Sequence, residues 1–125
     1  MRARRYWQFL TGLWLAALAL HGYIGVSESP DVKGALGLLG WGLLPYIAAA
    51  LVALFANRPL VGLVPATLSL LLDAANAYEV SHPSSSTAAL GLLWMPFWNL
   101  TVVVPGGATL AWLGSIVAGR QKHAA

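Results

Sequence analysis

Along the chain, apolar residues fall into four long runs: Tyr6–Val26, about Ala35–Ala56, about Leu60–Val80 and Thr87–Ala118. A helix crosses the roughly 30 Å hydrocarbon layer of a membrane in about 20 residues, at about 1.5 Å per residue. Each run reaches that length. The runs are apolar on every face rather than along one stripe, which is the pattern of a helix surrounded by lipid. Backbone groups in hydrocarbon must find their partners within the segment itself, so the four runs predict helices. The breaks carry turn chemistry. Ser27–Asp31 and Ser81–Ser86 combine proline with short polar side chains that compete for backbone hydrogen bonds. Asn57-Arg58-Pro59 reads as a tight turn with Pro59 as the first helical residue.

The fourth run is longer than one crossing needs. Two complete crossings would leave about 14 residues for the second, too few to span the hydrocarbon. A single bent crossing fits better, with Thr87 to about Trp94 at or beyond the outer surface and Ser85 or Ser86 as N-cap, a re-entrant segment being the alternative. Pro96 and Pro105 are the places where this helix is expected to kink or break, and Pro45 and Pro65 are expected to bend the second and third helices. The predicted fold is therefore all-α: a polytopic membrane protein whose residues 1–125 form a single transmembrane domain, four helices in a small bundle.

Charge sets the threading. Arg2, Arg4, Arg5, Arg58, Arg120 and Lys122 fall at the two termini and the second break, which four spans place on one side. Lys33, Glu28, Asp31 and Glu79 fall on the other. Short loops rich in Lys and Arg stay in the cytoplasm, so both termini are expected inside, with the protein in the inner membrane of the cell. Arg2–Arg5, the apolar Phe9–Leu20 and Ala17-Leu18-Ala19 also have the layout of a signal peptide. The apolar run continues past that point to Val26, long enough to span, so it is read as the first helix.

Composition narrows the chemistry. Of 125 residues, 58% are hydrophobic and 9% charged, which excludes an ordinary soluble globule, a disordered chain and a nucleic-acid-binding tail. Without cysteine there is no disulfide, thiolate metal site or thiol catalysis. A bis-histidine haem needs two facing histidines in the membrane; only His21 is inside, while His82 is in a loop and His123 in the tail. No catalytic constellation, metal site or cofactor site is expected, and the chain is not read as an enzyme.

What remains is polar groups inside the spans and small residues on their faces. Ionisable residues in a span are costly and are functional candidates by default. Asp73 lies near the outer end of the third helix, His21 near the outer end of the first, and Asn99 enters from the outer side on the fourth. With Asn76, these form a predicted polar cluster of His21, Asp73, Asn76 and Asn99 in the outer half of the bilayer. It reads as a hydrogen-bond network that sets helix register, as a proton or cation site, or as an Asp73 that simply reaches towards outer water beside Tyr78 and Glu79 without a special partner. Close helix contact in lipid relies on small residues. Gly107, Ala111, Ser115 and Gly119 recur at steps of four on the last helix, with shorter versions at Gly12/Ala16 and Ala49/Ala53. They suit packing within the bundle or the interface of a homodimer or larger membrane complex.

The length and four-span layout resemble those of the small multidrug-resistance transporters, a dimeric family defined by a glutamate in its first helix. Tyr6–Val26 contains no acidic residue, so the resemblance implies nothing about mechanism here. The function expected from the residues is that of an accessory or structural membrane subunit whose surroundings are the lipid bilayer and neighbouring membrane proteins. The alternative is a minimal transporter or proton-coupled permease using Asp73 and His21.

Overall fold

The structure, a computed structural model, describes residues 2–83, 85 and 87–124, with the backbone alone for residues 2–3 and 121–124. It is all-helical, and four helices are long and apolar enough to cross a membrane. Three are continuous: α1 (Arg2–Glu28), α2 (Val32–Ala56) and α3 (Pro59–Ser81). The fourth span is composite, running through a 3₁₀ turn (Ala88–Leu90), α4 (Gly91–Trp98), a π-helical turn (Asn99–Val103) and α5 (Val104–Ala124).

The helix ends have local causes. Asp31 accepts a hydrogen bond from the Gly34 N–H at 2.7 Å and so caps α2, which begins three residues before the predicted Ala35. Asn57 ends α2 in the left-handed region (φ 49°), where asparagine is tolerated better than most residues, and its N–H reaches back to the Leu54 carbonyl. Pro59 opens α3 as predicted. Of the two expected N-caps of the fourth span, Ser86 lies outside the described residues. Ser85 supplies its backbone carbonyl to the Ala88 N–H instead.

The predicted break in the fourth span takes the form of the π-helical turn. Pro105 has no N–H to donate and its ring crowds the carbonyl one turn back, so a regular α-helical turn is obstructed there. The turn before it widens, and the Val104 N–H bonds to the Asn99 carbonyl five residues earlier. The chain stays helical through the change, and α4 remains packed on α2 and α3 rather than standing away from the bundle.

The central pair is α2 and α3. On one side α1 packs against both; on the other the composite span packs against both, and among the described residues it does not meet α1. Small residues make the approach close. Ala49 and Ala53 on α2 are fully buried against Gly62 on α3, where an added Cβ would lie 2.6 Å from the Ala53 methyl. Gly107 sits against Pro65, and Ser115 is held by Arg58, so these two members of the Gly107–Gly119 stripe face α3 and its leading turn within the chain. Ala111 between them is half-buried, whereas Gly119 is exposed with open space around it. In α1 the expected pair Gly12/Ala16 lies on the exposed face, and it is Ala17 that is fully buried. The outer surface is covered with exposed leucine, valine, phenylalanine and tryptophan side chains, as a lipid-facing surface requires.

Gly62→Ala is expected to destabilise the bundle by about 1–3 kcal/mol, because the methyl meets packed α2 atoms. Gly37→Ala, at a position with open space, should change stability by less than about 0.5 kcal/mol. Reversible unfolding in mixed micelles compares the two.

Candidate functional site

The site is built around one carboxylate. Asp73 lies on the α3 face that also buries Val61, Pro65 and Ser69 at steps of four, so its side chain points between the other helices. His21 reaches it from α1, with Nε2 standing 3.0 Å from Asp73 Oδ2. The Tyr46 hydroxyl donates to the same oxygen from α2 at 2.6 Å. The Asn99 amide Nδ2 donates to Oδ1 from the π-helical turn at 2.7 Å. Three partners from three other parts of the bundle therefore converge on Asp73, which is only 2% exposed.

Helix direction explains the convergence. Side chains lean towards the N-terminus of their own helix. Tyr46 starts deeper in the bundle, but α2 begins at the loop end, so its ring leans up towards Asp73. His21 and Asp73 sit on helices that begin at the opposite end and lean down to meet it. The π-helical turn places Asn99, fully buried, at the same level.

The surroundings fit this arrangement. Gly42, one turn before Tyr46 on the same α2 face, gives the imidazole its place: an added Cβ would lie 2.6 Å from His21 Cε1. The His21 and Tyr46 rings meet edge to face at a centroid distance of 5.8 Å. The Tyr46 carbonyl accepts from Trp14 Nε1 at 3.3 Å, a second tie between α1 and α2. Trp41 Nε1 donates to the Leu93 carbonyl at 2.9 Å and ties α2 to α4.

Of the predicted cluster, His21, Asp73 and Asn99 are brought into direct contact. Asn76 stands beside them. Three residues on from Asp73, it is turned around α3 towards Gly91, where an added Cβ would strike its carbonyl oxygen. With His21, Ile24, Leu38, Asp73, Leu92 and Pro96 it lines a cavity of about 10 Å³. That is room for about one water molecule. Tyr46 is a member that the sequence reading misses. Its signal is position: it lies 14 residues into α2 and 10 from its end, far from the interfacial levels where membrane tyrosines usually sit.

Two buried polar atoms, Ser69 Oγ and Asn99 Oδ1, have no hydrogen-bond partner among the described residues. Both belong to residues adjoining Asp73, by one helical turn and by a direct bond. Among the described residues, no group of three histidine, cysteine, aspartate or glutamate side chains is placed to hold a metal ion. The arrangement can hold a proton between an imidazole and a carboxylate, and it can hold helices together.

The chain matches no protein-family model, no curated protein and no solved structure. Its own fold and site define its class: a small helical bundle with four helices able to span a membrane, closed around a hydrogen-bonded carboxylate.

Removing Asp73 orphans three buried partners, so Asp73→Ala is expected to cost about 3–5 kcal/mol. Ser69→Ala, which removes a hydroxyl without a partner, should leave stability unchanged or raise it by up to about 1 kcal/mol. Unfolding of both variants in mixed micelles checks the contrast.

Proposed function

We propose that the protein is an accessory or structural subunit of a membrane assembly, acting through its helix surfaces rather than by moving or converting a solute. The observation that carries this reading is the closure around Asp73: a carboxylate with three hydrogen-bond partners and a neighbouring cavity of about 10 Å³. A solute path would need far more open, polar space than one water occupies. Among the described residues the connections between helices are short, from Ser29–Asp31 to the stretch before Ala88, and hold no folded domain in which other chemistry could take place. Activity is therefore left to the surfaces. The distribution of Lys and Arg supports an orientation with both termini in the cytoplasm and a place in the inner membrane.

One observation favours a second reading. His21 and Asp73 can pass a proton across a 3.0 Å contact, and with Asn76 they border the small cavity. A minimal proton-coupled permease would use that pair.

Because the chain has no native cysteine, single cysteines report both access and orientation. With a membrane-impermeant polar thiol reagent, Ser81→Cys is expected to react in intact cells and Arg120→Cys only after permeabilisation. Ser69→Cys, one turn below Asp73, should react in neither. Reaction at Ser69→Cys would favour the permease, and the reverse pattern at the other two positions would overturn the orientation.

A further inference from the structure

The end of the bundle that carries the termini has a charge imbalance that the chain's own side chains do not answer. Six cations, Arg2, Arg4, Arg5, Arg58, Arg120 and Lys122, belong to that end. All four acidic residues, Glu28, Asp31, Asp73 and Glu79, belong to the other half. No acidic side chain of this chain is therefore within reach of Arg58.

Arg58 stands in a cleft of about 310 Å³ at the α2–α3 turn, lined by Asn57, Arg58, Leu60 and Val61 of that turn, by Tyr6 of α1 and by Ser115 of α5. The volume is at the lower end of the range for small-molecule sites, roughly 300–1,000 Å³. The arginine is steadied there. Its Nη1 donates to Ser115 Oγ at 2.5 Å, and that hydroxyl donates to the Trp112 carbonyl at 2.7 Å. One donor of the guanidinium fork is thus engaged, and the fork has others to offer a phosphate in the two-point manner that suits arginine. Tyr6 and Asn57 add polar groups to the lining, and Leu60 and Val61 make its aliphatic part.

A free phosphate would satisfy the arginine and leave the aliphatic half without a partner. A lipid without phosphate would do the reverse, and a zwitterionic one such as phosphatidylcholine would bring, beside its phosphodiester, a quaternary ammonium that the cations at this end repel. An occupant that carries a phosphate monoanion at one end and hydrocarbon at the other answers both halves. Basic clefts between helices at the membrane surface suit such headgroups. We propose that this cleft binds one anionic phospholipid, with its phosphodiester on Arg58 and its glycerol and first acyl carbons against Leu60 and Val61. The binding is independent of whether the protein is an accessory subunit or a permease.

Native mass spectrometry after incubation in mixed phosphatidylcholine–phosphatidylglycerol vesicles tests it. The unaltered chain is expected to retain one phosphatidylglycerol, preferred over phosphatidylcholine by about tenfold. Arg58→Gln should bring the two lipids to parity. Arg120→Gln, outside the cleft, should keep the preference, and excess inorganic phosphate should not displace the lipid. Parity in the unaltered chain overturns the proposal whatever the variants do. So does an undiminished preference in Arg58→Gln, an equal loss in Arg120→Gln, which marks diffuse surface charge, or displacement by inorganic phosphate, which marks a free-anion site.

Discussion

A carboxylate placed among four apolar helices has to be answered by hydrogen-bond donors, and that requirement organises this protein. Asp73 is buried among the helices, where an isolated charge would be strongly unfavourable. Its answer comes from three separate directions: the His21 imidazole, the Tyr46 hydroxyl and the Asn99 amide. Each partner belongs to a different span, so satisfying one group fixes the rotation and depth of three helices at once. The glycine at position 42 and the π-helical turn at Asn99–Val103 then follow as accommodations. The first makes space for the imidazole, and the second carries the helix past Pro105 with Asn99 inside.

The polar hub and the small-residue contacts divide the work by depth. Hydrocarbon gives no gain for burying one apolar side chain against another, so close approach at Ala49, Ala53 and Gly62 supplies packing, while hydrogen bonds supply direction. An average hydrogen bond between membrane helices contributes about 0.6 kcal/mol. Bonds to a charged group contribute about 1.5–3 kcal/mol, and here three share one carboxylate. The hub therefore adds to the packing a directional term that helps to select one arrangement of the helices. At the terminal end the Arg58–Ser115 bond acts in the same way on a smaller scale, tying the α2–α3 turn to α5.

Much of this is legible in the sequence because lipid imposes simple rules. Four apolar runs become four helices, Pro59 opens α3, and Pro96 and Pro105 bracket the irregular turn. His21, Asp73 and Asn99 are readable because a polar residue in a span stands out. Tyr46 is not, since a tyrosine counts as half apolar and its hydroxyl is noticed only once its depth is known. Asn76 shows the opposite limit. It shares a stripe with Asp73 at a spacing of three, but that spacing leaves it rotated, and the position of Gly91 across the gap decides where it turns. The Gly12/Ala16 pair shows why small-residue spacing alone does not name a buried face: the same pattern occurs on the side of α1 turned outward.

The coupling between His21 and Asp73 is the quantity on which the whole arrangement turns. A double-mutant cycle of His21→Ala and Asp73→Ala, read by unfolding in mixed micelles or bicelles, measures it directly. A coupling of about 1.5–3 kcal/mol is expected for a hydrogen bond to a buried charge. Additive losses, with a coupling below about 0.5 kcal/mol, would show that the carboxylate and the imidazole do not hold the bundle together.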